Sequence, residues 1–328
     1  MARTARSEVF DNKETNCIFT ECTAAPGRQL AGLRSPFSSG CDERRVFIEE
    51  VLAVFRQYFA VELITYTFDG RRIQQMLLPK PQLAAELSPE DVARRWLIIC
   101  PSLRRYEAPL HQPSEMDICR LLEDADRIDR IRGQLSDVAW WNRLLCQRIA
   151  QNFNKRDNLR GRFWEGRFHS TLLLDELSRI SCRTSIDTAN GSRDTAAAIA
   201  VCDSEKSGRP QNEAAFDSVT QMPPKDYLTL LEMTCQAITQ TPADTQLINT
   251  LDRLLSRQGI SASVWLSLVM NFSYNFSQIA GRLENMDRHV SRISRRRFFV
   301  RPHTRKLLRQ QPRNQHVCEN SSMVTSTV

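Results

Sequence analysis

The chain has 328 residues, of which 41% are hydrophobic, 25% charged and 8% aromatic, with a formal net charge of +7. That composition is too apolar for a disordered chain, and Gly and Pro (11 and 14 residues) are too few for a low-complexity one. The basic balance fits a polyanionic partner and fits equally a basic protein without one. No apolar run approaches the roughly 20 residues that a membrane-spanning helix needs, so no membrane partner is expected.

Ten cysteines, at 17, 22, 41, 100, 119, 146, 182, 202, 235 and 318, form no C-x-x-C pair. Their spacing argues against zinc and for a reduced, cytoplasmic setting. The opening MARTARSEVF lacks an apolar h-region, and no signal peptide is expected.

In chain order, residues 1–40 read as irregular, broken by Pro26, Gly27, Gly32, Pro36 and Gly40. Helical spacing starts near Asp42, with Phe47, Val51, Val54, Phe55 and Tyr58 returning every three or four residues. VELITYTF (61–68) and RIQQMLL (72–78) flank Asp69-Gly70, a strong hairpin signal. Ser88-Pro89-Glu90-Asp91 is a helix start: a Ser cap, Pro in the first turn and acids facing the dipole. Further helices are expected near 114–132, 136–155 and 175–186, with GRFWEGRF (161–168) as a short strand between the last two. Three more helical stretches (224–238, 243–258, 261–280) precede an arginine-rich stretch over 282–309. The expected organisation is therefore 1–40 irregular, 41–190 an α+β domain, 191–222 a linker, 223–309 a helical basic extension and 310–328 a disordered tail.

Several stretches carry a resemblance: ERRVFIEEVLAVFRQYFAVELITYTF, PQLAAELSPEDVARRWL, LSDVAWWNRLLCQRIAQNFNKRDNLRGRFWEGRF, LLLDELSRISC, YLTLLEMTCQAI and AGRLENMDRHVSRISRRRFF. Together, over roughly 40–300, they resemble the REP-associated tyrosine transposases, single-tyrosine relatives of the HUH endonucleases, and most closely the long planctomycete-type members. The run from Ser136 to Phe168 is the most specific part. The resemblance implies a ferredoxin-like antiparallel sheet with helices, an α-helical C-terminal extension, and recognition of single-stranded, hairpin-forming DNA. In active relatives an H-x-H strand holds Mg²⁺ or Mn²⁺ with the scissile phosphate, a helical tyrosine attacks it, and a polar residue one turn later supplements the metal site.

Matched residue by residue, those positions hold other side chains. Arg72 and Gln74 fall on the two histidines, Ser185 on the tyrosine and Ala189 on the polar residue; Asn190 is one step round the helix. Arginine repels a cation and serine is both less acidic and a ring shorter than tyrosine. No H-x-H occurs anywhere in the chain, and tyrosines 58, 66, 106, 227 and 274 fall in other elements. His169, just after the Gly-Arg-Phe strand, is read mainly as a polar or phosphate-contacting residue. The resemblance thus implies a member without metal, cofactor or cutting chemistry. The family's N-terminal aromatic-His strand is matched only by TNCIFTECTAAPGRQLAG, which reads as eroded, with an edge of the sheet lost.

Binding residues remain. Arg162, Trp164 and Arg167 suit phosphate contact and base stacking, or equally a strand whose aromatics fill the core while its arginines stay solvated. Strict alternation places Arg162 and Trp164 on one face and Arg167 on the other. Arg295, Arg296 and Arg297 form a second cationic candidate, whose binding would fall steeply with salt. Trp140 and Trp141 straddle two helix faces and read as structural. The readings are an inactive transposase-like DNA binder, a decayed copy or helical interaction protein, and an active nuclease with new residues. Oligomeric state and DNA target stay open.

Overall fold

A computed structural model describes residues 16–30, 43–100, 112–191, 219–240, 244–293 and 300–309. The protein is α+β, with a five-stranded mixed sheet in the order β2-β3-β1-β4-β5. The strands are β1 (Ile18–Thr23), β2 (Val61–Phe68), β3 (Arg72–Pro79), β4 (His169–Leu173) and β5 (Ile279–Ala280). The first four pair antiparallel, and β5 runs parallel to β4.

The β2–β3 hairpin forms as its sequence dictates. Asp69 accepts the N–H groups of Arg71 (2.8 Å) and Arg72 (2.7 Å), closing the turn at Gly70. The strand β1 corrects the sequence reading, which left 1–40 irregular and the sheet short of an edge. Ile18–Thr23 lies between β3 and β4, in the middle of the sheet. Its signal is weak because the sequence, IFTECT, buries Thr20 and Cys22 where a clearer strand would have Val or Ile.

Alternate residues of each strand meet different helices. On one face α1 (Glu43–Tyr58) and α6 (Val138–Arg156) pack through Phe55 and Trp141, whose rings meet edge-on at 5.3 Å. The Trp141 indole N–H donates to the buried Gln75 (2.9 Å), and the Gln75 amide donates to Asn142 (3.3 Å), so these core polar groups are satisfied. Trp141 is fully buried, while Trp140 sits half-buried against Trp96 at 5.6 Å. Helices α2 (Pro81–Glu86), α3 (Pro89–Ile99), α4 (Glu115–Leu122) and α5 (Ala125–Leu135) extend this layer. Ser88 caps α3 through the Asp91 N–H (3.1 Å), and Asp124 splits the helix expected over 114–132 by capping α5 through the Arg127 N–H (2.9 Å).

The opposite face is covered by α7 (Glu176–Gly191), on which the C-terminal helices α8 (Pro224–Thr239) and, beyond α9 (Thr245–Leu255), α10 (Ala262–Met270) pack. Thr65 of β2 donates to Asp187 of α7 (2.7 Å), and the buried Tyr227 hydroxyl of α8 donates to the same carboxylate (2.7 Å). The helix expected over 261–280 breaks at Asn271, gives one further turn, α11 (Phe272–Asn275), and ends in β5. Phe272 packs edge-on against Phe19 of β1 (5.2 Å). The described residues of 223–309 therefore share one apolar core with those of 41–190. Two helices, α12 (Leu283–Ile293) and α13 (Pro302–Arg309), close the described chain. Most of the expected linker, and the whole tail from 310, lie outside the described residues. Among the described residues no helix is long and apolar enough to cross a membrane.

Candidate nucleic-acid interface

GRFWEGRF is not the strand its sequence suggests. Gly161 takes a left-handed φ of +94°, and Phe163 and Trp164, adjacent in sequence, both turn inward instead of alternating. The true strand, β4, begins at His169. The loop is nevertheless firmly held. Ala25 N–H donates to Phe163 O (2.8 Å) and Glu165 N–H to Thr23 O (2.9 Å), pinning it beside the end of β1. Phe163 is buried against Phe153 at 5.8 Å, a burial that contributes about 1.5–3 kcal/mol. The Trp164 indole N–H donates to the Cys146 carbonyl of α6 (2.8 Å), and its ring meets Phe163 edge-on at 5.0 Å.

With the aromatics directed inward, Arg162, Glu165, Gly166 and Arg167 are exposed. The loop from Arg162 to Arg167 lines an open concavity of about 540 Å³. The expected division of the two arginines between opposite faces does not arise, because the segment is not a pleated strand. Trp164, half-buried and tied by its N–H, leaves only part of its ring exposed.

More cations gather at this end of the sheet. Arg28 is nine-tenths buried and donates through Nη2 to the Arg160 carbonyl (2.8 Å), while its Nη1 has no hydrogen-bond partner among the described residues. Arg71 donates to Ala24 O (2.8 Å) and lies 3.8 Å from Glu165. Arg72 pairs with Asp69 at 3.3 Å. Burial pushes the Asp69 carboxyl up, but the Arg71 and Arg72 N–H groups and the Arg72 guanidinium outweigh it and hold the carboxyl below its usual value.

The positions that the resemblance matches to catalytic residues hold side chains engaged with other partners. Arg72 is exposed and occupied by Asp69. The Gln74 amide donates to Glu21 of β1 (2.5 Å), and the Ser273 hydroxyl donates to the same carboxylate (2.8 Å). His169 stands opposite Glu21 in the β1–β4 register. A guanidinium and an amide committed to Glu21 do not fit a divalent cation, and among the described residues no three His, Cys, Asp or Glu side chains gather to hold one. On α7, Ser185 is half-buried and Ala189 exposed. Two residues on from Ser185, Asp187 hydrogen-bonds to the sheet at Thr65 and also contacts Tyr227 and Arg183. Burial first, and then the Asp187 charge, push the Tyr227 phenol well above its ordinary value, so it stays a neutral structural donor.

Two clusters escaped the sequence reading. Asp175 holds the C-terminal segment through the Arg282 N–H (2.6 Å) and the Asn285 amide (2.9 Å). Tyr274, 64% exposed, stacks on His303 at 4.6 Å. Neither has a local signal, because the partners are more than twenty-five residues apart. Arg295, Arg296 and Arg297 lie outside the described residues; of the described part of that basic stretch, Arg305 of α13 grips Asp287 of α12 with two bonds of 3.0 and 2.7 Å. No family model matches the chain, and no curated protein or solved structure does so either.

Proposed function

We propose that the chain is a transposase-like protein, of the single-tyrosine kind that its sequence resembles, which binds single-stranded or hairpin DNA and does not cut it. The observation that carries the reading is the loop at 161–167: its aromatics anchor it while Arg162 and Arg167 face solvent beside Arg28, Arg71 and Arg72. The backbone of the loop is fixed by its aromatics, and Arg71 is held by the Ala24 carbonyl, so the cations are presented to a phosphate backbone at little cost in chain freedom. The order β2-β3-β1-β4, with helices between β1 and β2 and between β3 and β4, supports a ferredoxin-like arrangement. The loss of cutting rests on the side chains at the family's positions: Arg72, Gln74, Ser185 and Ala189 supply neither a metal site nor a phenolic nucleophile. On this reading the protein works in the cytoplasm with no cofactor.

The test is fluorescence anisotropy of the purified chain with a hairpin-bearing strand and a length-matched scrambled strand, across a salt series. The expected result is a hairpin preference that survives moderate salt and falls in Arg162→Ala/Arg167→Ala, with the salt slope reduced by about two. Equal binding to both strands, erased by salt, would leave only a basic relic.

A further inference from the structure

The short turn α11 exposes an aromatic side chain that its surroundings hold rigid. Phe272 is anchored on Phe19, and the buried Asn275 amide donates to Ser267 O (2.8 Å). Tyr274 lies between these anchors, with 64% of its surface open. Its ring stacks on the His303 imidazole with centroids 4.6 Å apart and planes 21° from parallel. Its carbonyl accepts from the Arg301 guanidinium and lies 3.3 Å from His303 Nε2, while Thr304 donates to the Asn275 carbonyl. Three contacts thus fix α11 against the start of α13, and the tyrosine hydroxyl takes no part in them.

A rigid open ring supported from below by a second ring is the geometry of a stacking surface. Its charge surroundings point to the ligand. Arg301 stands beside it, and the exposed Lys306 and Arg309 of α13 have no ion-pair partner among the described residues. Its position connects it to the basic loop. Ser273, next to Tyr274, donates to Glu21 of β1, and the loop bridges β1 at Ala24, three residues further along. The backbone span from Glu21 to Ala24 is about 10 Å at the rise of a strand, so both features lie near the same end of β1.

We propose that Tyr274 and His303 form a stacking platform for one unpaired nucleobase of a single strand, with Arg301, Lys306 and Arg309 meeting the flanking phosphates. The proposal rests on the DNA-binding reading above and adds to it that the C-terminal helices supply a contact of their own to the bound strand. Recognition by stacking is indifferent to base identity and needs the base unpaired, so it would act on a single-stranded arm and not on the paired stem.

The experiment uses the full chain with a hairpin that carries a short unpaired arm containing one 2-aminopurine, whose fluorescence is quenched on stacking. Tyr274→Ala is expected to bind about tenfold more weakly and to restore the fluorescence, while Tyr274→Phe keeps wild-type behaviour. His303→Ala removes the support but leaves the ring, and is expected to weaken binding several-fold. Melting temperatures of all three should match wild type, since these side chains are surface groups; should Tyr274→Ala alone lose its fold, His303→Ala carries the decision. A hairpin with no arm should show no effect of Tyr274→Ala. If the wild type prefers the hairpin and Arg162→Ala/Arg167→Ala abolishes this, but Tyr274→Ala and His303→Ala bind as wild type, the platform is wrong and the DNA-binding reading stands. If the wild type binds no strand above the scrambled control, both fail together.

Discussion

The loop at Gly161–Phe168 and the turn at Phe272–Asn275 each bring aromatic side chains close to arginines, and they resolve the combination in opposite ways. In the loop, Phe163 and Trp164 go inward and the arginines outward; in the turn, Phe272 goes inward and Tyr274 stays out. Partner availability decides between them. Trp164 finds the Cys146 carbonyl for its N–H and Phe163 for its ring, whereas the Tyr274 ring, among the described residues, stacks on His303 and stays 64% exposed. Inspection of the sequence alone favours GRFWEGRF as the stacking element, yet the more open aromatic is on the C-terminal turn.

The strongest way to break this contrast is to remove the loop's anchor. Phe163→Ala empties a site only 2% exposed, and should cost about 3–5 kcal/mol in urea denaturation and lower hairpin affinity together. The turn can be disturbed at Gly281, where an added Cβ would lie 2.7 Å from Asp175 Oδ2 and 3.3 Å from Leu174 Cβ. That carboxylate is held by Arg282 and Asn285, so Gly281→Ala should cost about 1–3 kcal/mol, with DNA affinity falling because α11 and α12 shift. Trp164→Phe sharpens the contrast from the other side. It removes the bond to Cys146 while keeping a ring, so stability should drop by about 1 kcal/mol with little change in DNA affinity.

The smallest effect concerns the hairpin tip. The Asp69 carboxyl is held below its usual value, so its stabilising contribution is present above the ordinary aspartate value of 3.8 and is lost as pH falls through its folded value. The protection of the Arg71 and Arg72 amides, measured as exchange relative to the intrinsic rate at each pH, should fall over that acid range and stay level between about pH 5 and 8. A null result is expected elsewhere: Arg72→His/Gln74→His, incubated with hairpin DNA and Mn²⁺, should give no covalent adduct on a denaturing gel. Helix α7 has no tyrosine to form one, and an adduct would overturn the inactive reading.

How much was legible in the sequence follows the range of the interactions. The β2–β3 hairpin and the start of α3 were readable because alternation, Asp-Gly and a Ser cap act within a few residues. The strand β1 was not, since its burial comes from neighbours on both sides that are distant in sequence, and its Thr and Cys residues hide the apolar pattern. The Thr65–Asp187–Tyr227 contacts, which join the C-terminal helices to the sheet, link residues 122 and 40 positions apart. Of the candidate site, the outward arginines were readable by residue type, and the inward Trp164 was not, because its partner Cys146 lies on another element.

The most direct test of the account is amide hydrogen exchange of the full chain with and without hairpin DNA at moderate salt. Slowed exchange over Arg160–Phe168 and Asp69–Arg72, with a second protected patch at Ser273–Tyr274, is the predicted footprint. Binding that leaves 160–168 unprotected, or protects only the arginine-rich stretch over 282–309, would contradict it.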